Sequence, residues 1–221
     1  MPDEPAEPTD ARHQPSDRNE DERDWAGYYQ HTLGREPRPL FTKGLAALRE
    51  ARLEPGQAIE IGFGDGTETL ALLAARWRVL AIDPTPDAAE VLRSRVPAHV
   101  ASNLEIRTVP AEDADLPPFD LIYAGYALSF LEPGAFRRFW AGVRRRLRPG
   151  GLIVVNIFGV RDTWADDPTM TFLDLDAVHR LVDGLEVVTI DEEDADGGSF
   201  IGPKHWHVFD IVARGPTEVH A

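Results

Sequence analysis

Apolar and polar positions along the chain follow two periods, one typical of helices and one of buried strands. Between residues 39 and 53, leucines and Phe41 recur at helical spacing, and the apolar run 58–61 then predicts a short strand. Further strands are predicted at 78–83, 103–109, 119–124 and 152–158, and further helices at 67–77, 85–95 and 133–147. Apolar strands that alternate with helices predict a doubly wound, mostly parallel sheet covered on both faces.

The C-terminal part of the pattern is different. Two strand-like runs, 185–190 and 205–213, are separated by a Gly-rich, acidic stretch without room for a helix of normal length. Two strands joined in this way are expected to pair antiparallel. The sequence therefore predicts a seven-stranded α/β sheet that ends in an antiparallel hairpin.

Composition divides the chain into an arm and a body. Residues 1–22 contain four prolines, many acids and almost nothing to bury, which predicts a disordered acidic arm. The remainder, 23–221, has the apolar content of a single domain and no internal linker or repeat. Within it, the segment 25–39 is too aromatic for a solvated tail and too rich in Gly and Pro for a long helix. We expect it to fold back as a lid.

Charge limits the classes of partner. The net charge of −15 repels nucleic acid and anionic lipid, so neither is expected as a partner. The run Arg144 to Arg146 is a basic patch, but it lies at a predicted helix end, where the negative end of the helix dipole stabilises cations. There is no cysteine and no stretch like a signal peptide, which predicts a cytoplasmic protein without a Cys-based zinc site.

A glycine-rich turn follows the first predicted strand and carries the main candidate chemistry. Gly62, Gly64 and Gly66 are spaced by two, but Thr67 stands where a dinucleotide-binding turn has its third glycine. The turn is also acidic, so a pyrophosphate is disfavoured and a cation is favoured. S-adenosylmethionine carries a sulfonium and an ammonium but no phosphate. Asp83 ends the second strand, where a carboxylate can accept hydrogen bonds from both ribose hydroxyls.

The motifs E-I-G-F-G-D-G at 60–66, Asp83, V-P-A-E-D at 109–113 and L-R-P-G-G-L at 147–152 resemble those of class I S-adenosylmethionine-dependent methyltransferases. The resemblance covers about residues 40–214 and implies a Rossmann-like fold. Within this superfamily, the segments 28–39 and 203–214 resemble the small bacterial group of tellurite-resistance methyltransferases. The sequence departs from the common pattern at two positions. Phe63 stands where many members have Cys or Ser, and Glu112 stands where the adenine-facing acid is usually Asp.

The resemblance implies a role for each matching residue. Glu60 would face the cofactor ammonium directly or through water, Asp83 the ribose, and Glu112 with the Asp113 N–H the adenine. Gly125 and Tyr126 would border the methyl group. The implied cofactor-binding set is Glu60, Gly62, Phe63, Gly64, Gly66, Asp83, Glu112, Asp113, Gly125 and Tyr126. Three of these residues have a purely structural alternative. Glu60 could cap a turn, Glu112 could be a solvated acid in a loop, and Tyr126 could pack in the core.

Methyl transfer by in-line displacement needs no obligatory catalytic residue, since the sulfonium is already an activated leaving group and positioning supplies much of the rate. No histidine pair suggests a proton relay. His205 and His207 lie on one face of a predicted strand, but without a third ligand nearby no metal site is predicted.

Two segments are candidates for binding a small-molecule acceptor. One is the lid, where Tyr28, Tyr29, Arg35 and Arg38 either line the acceptor site or hold the methionine carboxylate. Alternatively, the tyrosines pack the lid and the arginines bond to nearby acids. The other is the stretch 158–172, with Arg161 and Trp164. The sequence leaves two other functions open, a non-catalytic S-adenosylmethionine-binding protein that acts through a partner and a nicotinamide-dependent reductase.

Overall fold

A computed structural model describes residues 24–217. The proposed acidic arm, 1–22, lies outside the described residues. The helices are α1 Trp25–Thr32, α2 Pro39–Glu50, α3 Thr67–Ala74, α4 Pro86–Arg95, α5 Pro133–Arg146 and α6 Leu175–Leu181. The strands are β1 Gln57–Ile61, β2 Arg78–Ile82, β3 Leu104–Arg107, β4 Phe119–Ala124, β5 Leu147–Gly159, β6 Phe172–Leu173, β7 Glu186–Ser199 and β8 Gly202–Arg214. Among these helices, none has the length and apolar character needed to cross a bilayer.

The strands form one sheet in the order β3-β2-β1-β4-β5-β8-β7, and the two-residue β6 pairs with β5 outside this path. The strands β1 to β5 are parallel neighbours, whereas β8 is antiparallel to both β5 and β7. The predicted doubly wound sheet of seven strands with a final antiparallel hairpin is therefore confirmed, with β6 as a short addition.

The sheet is buried on both faces because its apolar strands present side chains to two separate layers. On one face, Leu40 and Phe41 of α2 and Leu72 of α3 pack against Ala58 and Val79. On the other face, side chains of α5 and α6 pack against the strands; they include Phe136, Phe139, Trp140, Val143 and Val178. The two layers fix the strand ends relative to one another, which positions the loops at the carboxyl edge.

The C-terminal hairpin is longer than the sequence predicts. The prediction of an acidic loop is wrong, because residues 191–199 continue β7 and pair with β8 up to a turn at Phe200 and Ile201. Cross-strand pairing explains why so acidic a stretch is a strand. The two ring nitrogens of His205 lie 2.8 Å from carboxylate oxygens of Asp194 and Asp196, and Arg161 Nη2 lies 2.7 Å from Asp194. These contacts compensate the low strand propensity of the acids.

The buried His207 predicts a sharp effect of a small substitution in β5. His207 Nδ1 accepts from the Arg161 N–H at 2.9 Å, and its Nε2 donates to Glu192 at 2.9 Å. A Cβ at Gly159 would overlap this imidazole. We expect Gly159→Ala to destabilise the protein by about 1–3 kcal/mol, since packed interiors do not absorb an added methyl group.

The measurement is urea unfolding followed by circular dichroism. Gly198→Ala is the matched control, because a Cβ at Gly198 meets nothing within 4 Å, and it should leave stability unchanged. Equal effects of the two substitutions would contradict the packing of His207 on β5.

Candidate active site

A cavity of about 860 Å³ opens at the carboxyl ends of β1, β2 and β4. This edge of a parallel sheet is where ligands bind in doubly wound folds. One part of its wall is polar and consists of Gly62, Gly64, Asp65, Glu68, Asp83 and Thr85. The other part is aromatic and consists of Trp25, Tyr28, Tyr126, Phe130, Phe158, Trp164 and Trp206. The two parts suit a ligand with a polar end and an apolar partner beside it.

The glycine turn between β1 and α3 brings backbone to the cavity. Its three glycines have φ of +68°, +49° and +77°, a region that other residues rarely adopt. A Cβ at Gly62 would lie 2.6 Å from the Ala127 Cβ, and one at Gly64 would lie 3.1 Å from the Tyr29 ring. The turn is therefore a cradle that side chains would fill. The Phe63 ring is buried in the core, and Phe63 is not among the residues that line the cavity.

Asp83 stands at the end of β2 with only 2% of its surface exposed. Its carboxylate accepts from the Gly64 N–H at 3.1 Å and the Thr85 N–H at 2.9 Å. The Tyr29 hydroxyl lies 3.4 Å from both oxygens. Burial raises the pKa of Asp83 despite these donors. The carboxylate is thus held rigidly in the cavity wall, and its contact with a ribose stays a prediction.

The acids of the glycine turn are neutralised by arginines from elsewhere in the chain. Arg35 donates to both Glu68 oxygens at 2.6 Å, and its Nη2 lies 3.3 Å from Asp65. Burial alone would raise the pKa of Glu68, but the hydrogen bonds and charge of Arg35 outweigh it and lower the pKa. Arg95 lies 3.6 Å from Asp65. Arg35 therefore holds the turn, and it is not among the residues that line the cavity.

Glu60 is also absent from the cavity wall. It is buried and accepts a hydrogen bond from the Thr69 hydroxyl in the first turn of α3. Burial, followed by the negative charge of Glu68, raises the pKa of Glu60 well above its ordinary value. Asp65 and Glu68 line the cavity, whereas Glu60 does not.

Tyr126 has a strained backbone at the mouth of β4. Its φ is +55°, and its N–H donates to Asn156 Oδ1 at 2.7 Å. The Arg38 guanidinium lies 4.7 Å from the centre of its ring, and burial raises the pKa of Tyr126 to about 12. Strain of this kind persists where the surroundings impose it and is common at functional sites. The sequence analysis missed Asn156, although a lone polar residue in the apolar run 152–158 was a signal.

A buried cation contacts the aromatic part of the cavity wall. Lys204 is 5% exposed and forms an ion pair with the buried Asp162. Its ammonium lies 4.1 Å from the centre of the Trp164 ring and 4.3 Å from that of Trp206. Cations over aromatic faces are attracted by the ring quadrupole. The pair therefore fixes Trp164 and Trp206 in the wall. The sequence analysis missed it, because Lys204 lies one residue before the predicted strand 205–213.

Several side chains of the segment 25–39 line the cavity. Asp24 caps α1 by accepting from the Gly27 N–H at 2.7 Å, and Trp25 packs on Phe130 with ring centres 5.1 Å apart. Tyr28 accepts from Arg38 at 2.7 Å. The hairpin tip approaches from the other side, with Phe200 5.9 Å from the Tyr28 ring. Two separate parts of the chain thus cover the cavity.

Besides Glu60, Arg35, Phe63 and Gly66, three further predicted site residues do not line the cavity. Glu112 and Asp113 are in an exposed 3₁₀ turn after β3, and the Asp113 N–H donates to Pro110 O at 3.1 Å. Arg161 is exposed and pairs with Glu192 and Asp194 at 2.5 and 2.7 Å. Within 24–217, no group of three or more His, Asp or Glu side chains is arranged to hold a metal ion.

Comparisons with known proteins find methyltransferases among the similar sequences and structures. Residues 59–153 match a family described as a methyltransferase domain. Over 115 residues the chain is 31% identical to the malonyl-[acyl-carrier protein] O-methyltransferase of Xylella fastidiosa, which covers 48% of this chain and 36% of that enzyme. The chain thus spans little more than a third of the length of this curated relative.

Two solved structures illustrate the likeness in fold. TehB from Haemophilus influenzae has a TM-score of 0.68 at 13% identity, over 86% of this chain and 67% of TehB. The N-methyltransferase NodS from Bradyrhizobium japonicum, solved with S-adenosylhomocysteine, has a TM-score of 0.62 at 19% identity, over 88% of this chain and 100% of NodS. At these identities the likeness concerns the fold.

The Lys204–Asp162 pair generates a prediction about stability. Lys204→Met should destabilise the protein by about 3–5 kcal/mol in urea unfolding, because it leaves the Asp162 carboxylate buried without its cation. The double variant Lys204→Met/Asp162→Asn should lose less than the single variant, since no uncompensated charge remains.

Arg161→Met is the matched control for removal of a cation from the same region. Its ion pairs are exposed, so the loss should stay below about 1 kcal/mol. A double variant less stable than Lys204→Met alone would show that the ion pair is not the source of the effect.

Proposed function

Because the chain has the class I S-adenosylmethionine-dependent methyltransferase fold and carries a methyltransferase domain at 59–153, we propose that it transfers a methyl group from S-adenosylmethionine to a small-molecule acceptor. The observation that carries the proposal is the cavity itself, in which a glycine cradle and Asp83 meet an aromatic wall. When bound, the cofactor would supply a methyl group on a sulfonium. As the electron pair of a nucleophile bonds to the methyl carbon, the carbon–sulfur bond breaks and a neutral thioether leaves.

The start of α3 supports this cofactor over a dinucleotide. In dinucleotide-binding folds a pyrophosphate binds the free N–H groups at the corresponding helix N-terminus. Here the Asp65 carboxylate occupies that position, since it accepts from the Thr67 hydroxyl at 2.6 Å and from the Thr67 N–H at 3.4 Å. Glu68 adds a second carboxylate in the first turn. A phosphate would meet both acids, whereas a ligand without phosphate does not.

The polar wall would hold the cofactor in three places. The cradle of Gly62, Gly64 and Gly66 would pass close to the methionine and adenosine parts, and Asp83 would accept from the ribose hydroxyls. Arg38 faces the cavity and would hold the methionine carboxylate. Since Glu60 lies behind the wall, its contact with the ammonium would run through water.

Glu112 and Asp113 remain proposed for the adenine. The Glu112 side chain is exposed on the turn after β3 and would accept from the exocyclic amine. The Asp113 N–H would have to leave Pro110 O to reach the ring. Both positions lie outside the wall of the 860 Å³ cavity, so this part of the ligand would extend beyond it.

The aromatic wall would hold the acceptor beside Gly125 and Tyr126. Tyr126, Phe130, Trp164 and Trp206 present rings to the cavity, which favours a flat, largely apolar molecule. Tyr28, Tyr29 and Trp25 of α1 cover this space, and we propose that 25–39 acts as a lid that excludes water. Arg35 and Arg161 are held in ion pairs, so they are weaker candidates for acceptor binding than Arg38.

The proposal is tested by calorimetry and by transfer of a labelled methyl group. The protein should bind S-adenosylmethionine and S-adenosylhomocysteine, should not bind NADH, and should label one or more acceptors in a panel of flat aromatic compounds. Binding of both sulfur nucleosides without transfer to any acceptor would favour a non-catalytic S-adenosylmethionine-binding protein. Binding of NADH alone would favour a reductase.

Asp83→Ala should weaken S-adenosylhomocysteine binding by more than about tenfold. The substitution removes charge-assisted hydrogen bonds to the ribose, each typically worth about 1.5–3 kcal/mol. Circular dichroism checks that the variant is folded. Asp87→Ala removes an exposed acid at the start of α4 and is the matched control. Equal dissociation constants for both variants and the wild type would exclude Asp83 from the site.

A further inference from the structure

Tyr123 is a cavity residue that the sequence analysis did not single out. It lies in β4, beside Glu60 of β1 in the parallel register, and its ring packs edge-on against Phe41 of α2 with centres 5.1 Å apart. The side chain lines the cavity although only 3% of the residue is exposed. It is therefore part of the cavity floor, fixed by the sheet on one side and by α2 on the other.

The hydroxyl of Tyr123 has no hydrogen-bond partner among residues 24–217. A buried polar group without a partner is costly, and such groups are rare in folded proteins. Burial, with a further contribution from the charge of Glu68, raises the pKa of Tyr123 well above its ordinary value. The group is therefore a neutral hydroxyl with a proton to donate.

Two neighbours place this hydroxyl at one point of the wall. A Cβ at Gly125 would overlap the Tyr123 hydroxyl and would lie 3.3 Å from the Arg38 Cδ. The hydroxyl, the Gly125 backbone and the Arg38 side chain thus converge. Glu68 accepts from Arg35 and from the Arg38 N–H, and neither it nor any other described residue bonds to the Tyr123 hydroxyl.

A donor beside a guanidinium suits a carboxylate, which has two oxygens and can accept from both groups. An ammonium fits less well, because the Arg38 guanidinium repels it and the charge of Glu68 is already paired with Arg35. We propose that Tyr123 is a further cofactor-binding residue, whose hydroxyl donates a hydrogen bond to the methionine carboxylate next to Arg38. This inference rests on the proposed use of S-adenosylmethionine.

The test compares two ligands and one conservative variant by calorimetry. S-adenosylhomocysteine carries the methionine carboxylate, whereas 5′-methylthioadenosine has the same adenosine and thioether without the amino-acid end. Tyr123→Phe should weaken the binding of S-adenosylhomocysteine about tenfold and leave the binding of 5′-methylthioadenosine within about twofold. The second ligand is thus the internal control for a general disturbance of the cavity.

Thermal melting of the ligand-free protein separates binding from packing. Because the hydroxyl has no partner in the described part of the chain, its removal should not lower the melting temperature. A lower melting temperature, an unchanged affinity for S-adenosylhomocysteine, or an equal loss for both ligands would each overturn the inference. If the wild type binds neither ligand, the proposed function fails as well, which distinguishes that result from the others.

Discussion

The bidentate ion pair between Arg35 and Glu68 is the contact on which the geometry of the cavity depends. Arg35 follows helix α1, and Glu68 lies in the first turn of α3, so the pair ties the segment 25–39 to the glycine turn. The same carboxylate accepts from the Arg38 N–H at 2.9 Å, which orients the start of α2 and the Arg38 side chain. Removing Arg35 would leave Glu68 beside the buried Glu60 and Asp65 without its main counter-charge, which is costly in a buried site.

This pair also shows the limit of reasoning from the local sequence. The glycine turn, the strand before it and Asp83 could be predicted, because spacing along the chain determines them. The charge of the turn could not, since Arg35 and Arg95 reach it from other elements and neutralise acids that the sequence presents as uncompensated. The preference against a pyrophosphate therefore rests on the Asp65 carboxylate at the start of α3 rather than on net charge.

Other features were not predicted for the same reason, because their partners come from other elements of the fold. Asn156, Lys204 and Tyr123 acquire their roles only when β4, β5 and β8 lie side by side. The hairpin was predicted as two short strands because Asp, Glu and Gly have low strand propensity, yet pairing with His205 and Arg161 extends it to Ser199. Fold class follows from periodicity, which every strand carries in its own sequence. Side-chain partners follow from the sheet order, which no single strand contains.

The contact between α1 and Asp83 links the segment 25–39 to the polar part of the cavity wall. The Tyr29 hydroxyl lies 3.4 Å from both Asp83 oxygens and 3.4 Å from the Thr85 hydroxyl, near the outer limit of a hydrogen bond. The two backbone donors, at 3.1 and 2.9 Å, hold Asp83 more closely. Ribose hydroxyls at this site would compete with Tyr29 but not with the backbone, since the carboxylate is fixed by the turn itself. Under the proposed function, cofactor binding would therefore change the position of α1 while leaving the cradle unchanged, and the Trp25–Phe130 contact over the aromatic wall would respond to the ligand bound at Asp83.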